Sequence, residues 1–373
     1  MSLIQTLIEL AVRTLPAPLQ ARYREEWAAD LEQASQLGIS RVSVLSGAFA
    51  TSARLDRDDP RVTGIPSKVE TIRRARWSAA FLCSALILAA GTFAVSLTSA
   101  DQHLNDGVMA VSGTVTFATI AVFALIGIVN GIGAVRIGLS TFGLKRIAQF
   151  VLFGIAAVLS MAVTAVFPIL GVLMAPAAVA TALFLAAGGP RGQLPQQPLR
   201  TVSRIGLSAM FSLLAICAVA FATLHILVWN PLAKMPGMSL SEIYAAMYEA
   251  EQPTGVAVVA VWAGLFIAAA IAFPICCSLR RFAGPRSTRR IIVTGAMLIT
   301  AVGVTQWFAG FTIGMSLADT FFVSGGDSAA SGVALSVITT LAAVFAVFAS
   351  FVPTPWRDAE QRYEQLHAEQ PVL

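Results

Sequence analysis

Eight long apolar runs constrain this chain more than any other feature of its sequence. Each run holds about 20 residues or more, the length at which an α-helix crosses a bilayer. None has Asp, Glu, Lys or Arg in its central part. The runs cover residues 78–98, 108–133, 147–167, 169–188, 205–228, 255–278, 291–315 and 331–353. The sequence therefore predicts an all-α fold, a polytopic membrane helix bundle with eight transmembrane helices.

The composition agrees with this interpretation. Charged residues make up 12% of the chain and hydrophobic residues 57%. A soluble domain carries about 25% charged residues, because its surface faces water. The shortage of charge excludes a soluble globular protein, and we assign residues 67–356 to the transmembrane bundle.

Lys and Arg residues in the loops between the runs segregate to one side of the predicted membrane bundle. In the eight-span arrangement, all of the 25 Lys and Arg residues except Lys234 fall on one side. Because Lys and Arg are retained in the cytoplasm, both termini are expected there, including a tail at 357–373. Arg is much commoner than Lys and Ala is abundant, a composition typical of high-GC bacteria. The predicted location is the bacterial plasma membrane.

Residues 1–66 are more polar and predict a small cytoplasmic module of three helices and a linker. The expected helices cover about 2–14, 19–36 and 41–55. Each has an apolar face at spacings of three and four residues. The face of the first helix consists of Leu3, Leu7 and Leu10 beside Ile4, Ile8 and Ala11. The second has Leu19, Tyr23, Trp27, Leu31 and Ala34, and the third has Val42, Leu45, Phe49 and Ala53. A core of this size gives little independent stability. We therefore expect the module to rest on a membrane surface or on a partner.

Local signals mark the ends of these helices. Gly38 suits the left-handed conformation that closes the second helix, and Ser40 suits the N-cap of the third. Ser67 and Glu70 have the spacing of a capping box. They predict a helix that begins there and continues directly into the first span.

The charged face of the second helix is the candidate docking surface. It consists of Arg22, Glu25, Glu26 and Asp30. In one interpretation this face binds a cytoplasmic protein partner. In the other, the module only assists insertion or packing and the face meets water. The acids argue against a strongly basic face on anionic lipid.

The stretch LPAPLQARYREEWAADLEQASQLG resembles the N-terminal segment of a group of actinobacterial multi-pass integral membrane proteins. The pattern rests on Leu15, Pro16, Arg22, Tyr23, Glu26, Trp27, Asp30 and Leu31. It is similar in style to the helical prefix domains of some bacterial permeases. The group is largely of unknown function, so the resemblance implies an architecture and not a reaction. The large extracellular domain of lipoprotein-exporting permeases has no counterpart among these short outer loops.

Few polar side chains lie at membrane depth. The candidates are His225, Asn130 with Gly127 and Gly131, and Gln306 with Gly310 and Gly314. Small residues at this spacing favour close helix packing, and an amide can hydrogen-bond across the contact. The alternative is a pair of broken helices that line a substrate site. His225 has no acidic neighbour three or four residues away, which favours an interfacial histidine over a proton-coupling group.

One outer loop predicts a short amphipathic helix. Ser239 and Glu242 form a capping box, and the helix stops before Pro253. Its apolar face is Leu240, Ile243, Tyr244 and Met247. We expect it to lie on the outer membrane surface, with Tyr244 and Tyr248 at headgroup depth. The alternative is a lid over an outer cavity.

Several classes of function lack their motifs. No phosphate-cradling GxxxxGK[ST] loop is present, and the basic run SLRRFAGPRSTRR lacks the aromatic interleaving typical of nucleic-acid binding. The cysteines, Cys83, Cys217, Cys276 and Cys277, lie in or at the end of apolar runs and predict free thiols. We expect no cofactor, no metal, no nucleic-acid partner and no enzymatic activity.

The remaining hypotheses concern interaction and transport. The first is a non-enzymatic interaction, regulatory or transport-accessory component whose cytoplasmic module binds a partner. The alternative is a transporter or permease for a small neutral or lipophilic substrate. A cavity that reaches Asn130 or Gln306 would favour transport, whereas a closed bundle packed by its glycines would favour interaction.

Overall fold

The computed structural model describes residues 3–15, 17–34, 36–55, 66–99, 106–143, 201–279 and 288–351, and every regular element in these ranges is a helix. The elements are α1 (Leu3–Thr14), α2 (Ala17–Gln33), α3 (Arg41–Arg54), α4 (Ser67–Ser99), α5 (Asp106–Phe142), α6 (Thr201–Leu224), a π-helical turn (His225–Trp229), α7 (Asn230–Lys234), α8 (Leu240–Glu249), α9 (Val256–Ser278), α10 (Thr288–Phe321) and α11 (Ala330–Phe351). The predicted all-α fold is confirmed for this part of the chain.

Six helical stretches within the described ranges are long and apolar enough to cross a membrane. They are Ser67–Thr92, Gly113–Phe142, Thr201–Lys234, Val256–Ser278, Thr288–Phe321 and Ala330–Phe351. These stretches are those of a multi-pass membrane protein. Each coincides with one of the predicted spans. The other two predicted spans, 147–167 and 169–188, lie outside the described residues.

The described residues belong to two compact units, and the first includes α1, α2 and α3. These three helices share a buried cluster that contains Ile8, Val12, Trp27 and Ala48. Glu9 on α1 accepts hydrogen bonds from Arg24 on α2, at 3.0 Å from both Nε and Nη2. This ion pair holds the pKa of Glu9 below its ordinary value.

The structure corrects the predicted face of α3 in part, since Leu45 packs against the buried cluster but the other three residues do not. Val42 and Phe49 are 66% and 38% exposed, and Ala53 is also exposed. Ala48 and Ser52 are buried instead, and the Ser52 hydroxyl is hydrogen-bonded to Thr14. Small side chains at these positions let α1 approach α3 closely, so contact is made where the sequence has little bulk. The predicted face of α2 is confirmed, with Trp27 and Ala34 buried.

Two of the three predicted helix-end signals hold. Gly38 has φ +67°, and the Ser40 hydroxyl accepts a hydrogen bond from the Ser43 N–H at 3.1 Å. The capping box at Ser67 and Glu70 is wrong, because α4 begins one residue earlier than expected and Ser67 is already helical. Glu70 instead forms ion pairs with Arg73 and Arg74, at 2.7 and 2.8 Å. These are the i+3 and i+4 positions that face it on the helix.

The second unit comprises Arg76–Val129 and the described residues from α6 onward. A Cβ on Gly295 would meet the side chain of Phe211, and one on Gly310 would lie 3.3 Å from Ile226 Cγ1. Both contacts join α6 and its continuation to α10 at the same sequence offset, so these two helices run parallel. Two buried clusters fill the unit, one around Phe211 and Val293 and the other around Ile226 and Ile313.

Basic residues of this unit gather at one end of its helices. Arg76 donates from Nη2 to the Ser350 carbonyl at 2.7 Å and from Nε to the Phe351 carbonyl at 3.0 Å, which satisfies carbonyls at the end of α11. Arg204 and Arg289 begin the parallel helices α6 and α10. We call this the arginine end. Lys234 lies at the opposite end, which we call the lysine end.

Candidate functional site

The site is built at the lysine end, where α6 changes its winding. Pro231 has no N–H and cannot donate the α-helical hydrogen bond to the Leu227 carbonyl. The chain widens into the π-helical turn His225–Trp229, in which the Asn230 N–H bonds to the His225 carbonyl five residues back. Turns of this kind are rare and are frequent at functional sites. This turn is not among the elements predicted from the sequence, and Pro231 is the signal that could have located it.

The short helix α8 supplies a donor to the backbone carbonyl that Pro231 leaves without its α-helical hydrogen bond. The Tyr244 hydroxyl donates to the Leu227 carbonyl at 2.9 Å. The predicted capping box is confirmed, and its hydrogen bonds from Ser239 hold the pKa of Glu242 below its ordinary value. The expectation that the apolar face rests on lipid is wrong, since Ile243 and Met247 are fully buried against protein. Tyr248 is 81% exposed.

His225 is buried in a polar cluster at the first residue of the π-helical turn. The residue is only 1% exposed. Its Nδ1 lies 2.9 Å from the Ser331 hydroxyl, and its Nε2 lies 3.4 Å from Asp327 Oδ2. His225 has no acidic neighbour three or four residues away on its own helix. The acid comes instead from the loop 322–329 between α10 and α11, which is distant in sequence.

Two residues of α7 hold that loop in place. The Lys234 ammonium donates to the Ser324 carbonyl and lies 3.4 Å from the Ser328 hydroxyl. Asn230 Oδ1 accepts a hydrogen bond from the Ser328 N–H at 2.8 Å. The one basic residue predicted on the outer side is therefore bound to backbone rather than facing solvent.

A cavity of about 250 Å³ lies between the π-helical turn, α10 and the loop. Its polar lining residues are Asn230, Gln306 and Asp327, and Trp307 and Phe311 are among its apolar ones. Gly310 and Gly314 of α10 also line it and let their neighbours approach closely, since a Cβ on Gly314 would lie 2.8 Å from the Gly325 carbonyl oxygen. Three of the predicted membrane-depth residues thus meet at this cavity.

Comparisons with family models, curated proteins and solved structures find no match to this chain. Within the described ranges, no three His, Cys, Asp or Glu side chains come together in a group that could hold a metal ion. Cys83, Cys217, Cys276 and Cys277 are free thiols, as predicted.

The remaining predicted residues lie elsewhere. A Cβ on Gly127 would lie 2.7 Å from Leu82 Cγ, so this glycine packs α5 against α4. Asn130 and Gly131 are half-buried on α5 and do not line the cavity. The two stretches that pair an amide with glycines, which look alike in sequence, therefore have different surroundings.

The candidate docking residues all lie on the surface of α2. Arg22, Glu25, Glu26 and Asp30 are exposed. Arg22 Nε lies 3.6 Å from Glu26 Oε2, an exposed i,i+4 pair of small energetic value. The arrangement leaves a polar, mostly acidic face on the side of α2 away from Trp27.

Proposed function

We propose that the protein is a non-enzymatic, multi-pass component of the bacterial plasma membrane that binds a cytoplasmic protein partner through residues 1–66. The observation that carries this proposal is that α2 has one buried side and an exposed charged surface. One face of the helix completes the buried cluster of α1, α2 and α3 with Trp27. Glu25, nearly opposite Trp27 around the helix, and Asp30, on the flank one turn after Trp27, are both exposed.

The charge of that face suggests the chemistry of the partner. Among the described residues, Glu25 and Asp30 have no ion-pair partner, whereas Glu9 is paired with Arg24 and Arg13. The acid that joins α1 to α2 is therefore paired. On the outer face, Glu26 is paired with Arg22, but Glu25 and Asp30 are not. Complementary charge steers association and selects partners. A protein with a basic surface fits this face.

The proposed topology has eight spans and both termini in the cytoplasm. It is supported by the segregation of Arg76, Arg204 and Arg289 to one end of the second unit, with Lys234 at the other. Arginines at helix ends are retained on the cytoplasmic side. In this arrangement residues 1–66 and the arginine end face the cytoplasm, and the lysine end faces outward.

A pull-down from the native host membrane in mild detergent tests the docking role. The full chain is compared with a chain that lacks residues 1–66 and with the full-length charge reversal Glu25→Lys/Asp30→Lys. We expect a partner recovered by the full chain to be lost with the truncation and reduced at least tenfold by the reversal. The reversal Glu249→Lys/Glu251→Lys, which changes two acids near the end of α8, serves as the matched control. Recovery of the same partners by all four chains, or of none by any, would contradict the docking role.

The second candidate is a transporter or permease for a small substrate. The cavity that reaches Gln306 favours it, because transporters place substrate sites near the middle of the bilayer between helices with irregular turns. Substrate accumulation in sealed proteoliposomes that contain only this chain would distinguish transport from docking, since docking requires no solute movement.

A further inference from the structure

Gln306 presents its side-chain amide to the cavity. The residue is 6% exposed and lines the cavity. Among the described residues, its amide has no protein hydrogen-bond partner. The amide atoms are not sealed by protein but reach the space of the cavity, where water or a ligand can bond to them. An amide in this position favours a guest that both accepts and donates.

Asn230 adds a second unused donor to the same cavity. Its Oδ1 accepts from the Ser328 N–H. The Nδ2 group has no acceptor among the described residues, although Asn230 is buried. Asn230 therefore uses only its amide oxygen to hold the loop. Its amide nitrogen can donate to a ligand in the cavity.

Charge at the cavity has one sign. Asp327 is the only ionisable residue among the described residues that line it. One oxygen of its carboxylate lies near His225, and its side chain stays 15% exposed. Lys234 does not line the cavity and is bonded to the loop backbone. The indole ring of Trp307 borders the same space, and aromatic faces attract cations. The lining therefore suits a cation better than an anion.

The dimensions of the cavity limit the size of the guest. A cavity of about 150 Å³ binds benzene, which has six non-hydrogen atoms, so about 250 Å³ holds a molecule of about eight. Ile226 and Phe311 are among the apolar residues that line the cavity beside Gln306 and Asp327. An aliphatic segment fits against these apolar residues.

We propose that this cavity binds a small organic amine, with a protonated amino group at Asp327 and a neutral hydrogen-bonding group at Gln306, joined by an aliphatic chain. The inference goes beyond the docking role, since it concerns a cavity of the second unit and requires no partner bound to residues 1–66. For the transport alternative, it names the substrate class.

Calorimetric titration of the full chain in detergent micelles, with empty micelles as the blank, tests the proposal. The probe is 6-aminohexan-1-ol, which has eight non-hydrogen atoms and both functional ends. The comparison molecules are 1,6-hexanediol, which lacks the charge, and hexylamine, which lacks the second polar group. We expect the amino alcohol to bind at least tenfold more tightly than either. Equal binding of the diol, or no binding of the amino alcohol because the cavity holds only water, would overturn the proposal.

Variants assign each end of the ligand. Asp327→Asn removes the charge, and we expect it to abolish the preference for the amino alcohol over the diol. Gln306→Leu keeps the volume and removes the amide, so it should reduce amino alcohol binding to the level of hexylamine. Asp319→Asn, an exposed acid on α10 outside the cavity, is the matched control and should change nothing. If Asp327→Asn does not fold, the proposal is tested by the binding of 6-aminohexan-1-ol and hexylamine to Gln306→Leu, which should be equal. Because binding is measured without a protein partner, its outcome is separate from that of the pull-down.

Discussion

Single hydrogen bonds decide the local structure at the lysine end. Pro231 removes one backbone donor, and the Tyr244 hydroxyl bonds the Leu227 carbonyl in its place. In the sequence, Pro231 marks the position of the lost donor, but Tyr244 looks like one more residue of an amphipathic face and is not linked to it. Their relation exists only once α8 folds back on the π-helical turn.

Substitution of Tyr244 tests this compensation. Tyr244→Phe removes the hydroxyl and leaves the Leu227 carbonyl without that donor, which costs about 1 kcal/mol. Local opening of α8 should then become about fivefold more frequent. Hydrogen exchange measured by mass spectrometry should show this rate increase in peptides from 240–249. Tyr248→Phe removes a hydroxyl from the 81% exposed neighbour and should leave exchange unchanged. Equal rates in the two variants would show that the Tyr244 bond does not hold α8.

At the scale of elements, helices with long regular apolar patterns could be predicted from the sequence, whereas contacts between distant segments could not. The six spans seen here follow from apolar length alone, and the α2 face follows from Tyr23, Trp27 and Leu31 at fixed spacing. The prediction of the α3 face was wrong at most of its positions, because the buried contact residues Ala48 and Ser52 are small and carry little periodic signal. The partners His225 and Asp327 are about 100 residues apart, and no local pattern joins them.

Close approach of α10 to the loop 322–329 gives an element-scale prediction. A Cβ on Gly314 would lie 2.8 Å from the Gly325 carbonyl oxygen, which is backbone and cannot rotate away. Gly314→Ala should therefore destabilise the protein by about 1–3 kcal/mol, the usual cost of overpacking. Thermal unfolding in detergent measures this loss. Gly264→Ala on α9 meets nothing within 4 Å and should leave the melting temperature unchanged or raise it, because alanine favours helix. A melting temperature unchanged in Gly314→Ala would mean that the loop yields freely.

At the scale of the whole molecule, sorted charge is the property that links sequence to orientation. In the predicted arrangement of eight spans, all Lys and Arg residues but Lys234 fall on one side. Within the described ranges, Arg76, Arg204 and Arg289 share one end of the second unit. The parity of crossings between α5 and α6 then decides whether α2 and α8 lie on the same side of the membrane. Zero or two crossings put them on opposite sides, and one crossing puts them together.

Single cysteines introduced into a background with all four native cysteines replaced by serine measure that parity. In intact cells, a membrane-impermeant maleimide should label Tyr248→Cys on α8 but label Asp30→Cys on α2 only after permeabilisation. Pro168→Cys lies at the turn expected between the spans 147–167 and 169–188, and it should be labelled from outside if both spans cross. Labelling of Tyr248→Cys and Asp30→Cys from the same side would contradict the proposed topology. Labelling of Tyr248→Cys but not Pro168→Cys in intact cells would contradict the eight-span count while leaving the orientation of the described helices intact, because arginine retention acts on each helix pair separately.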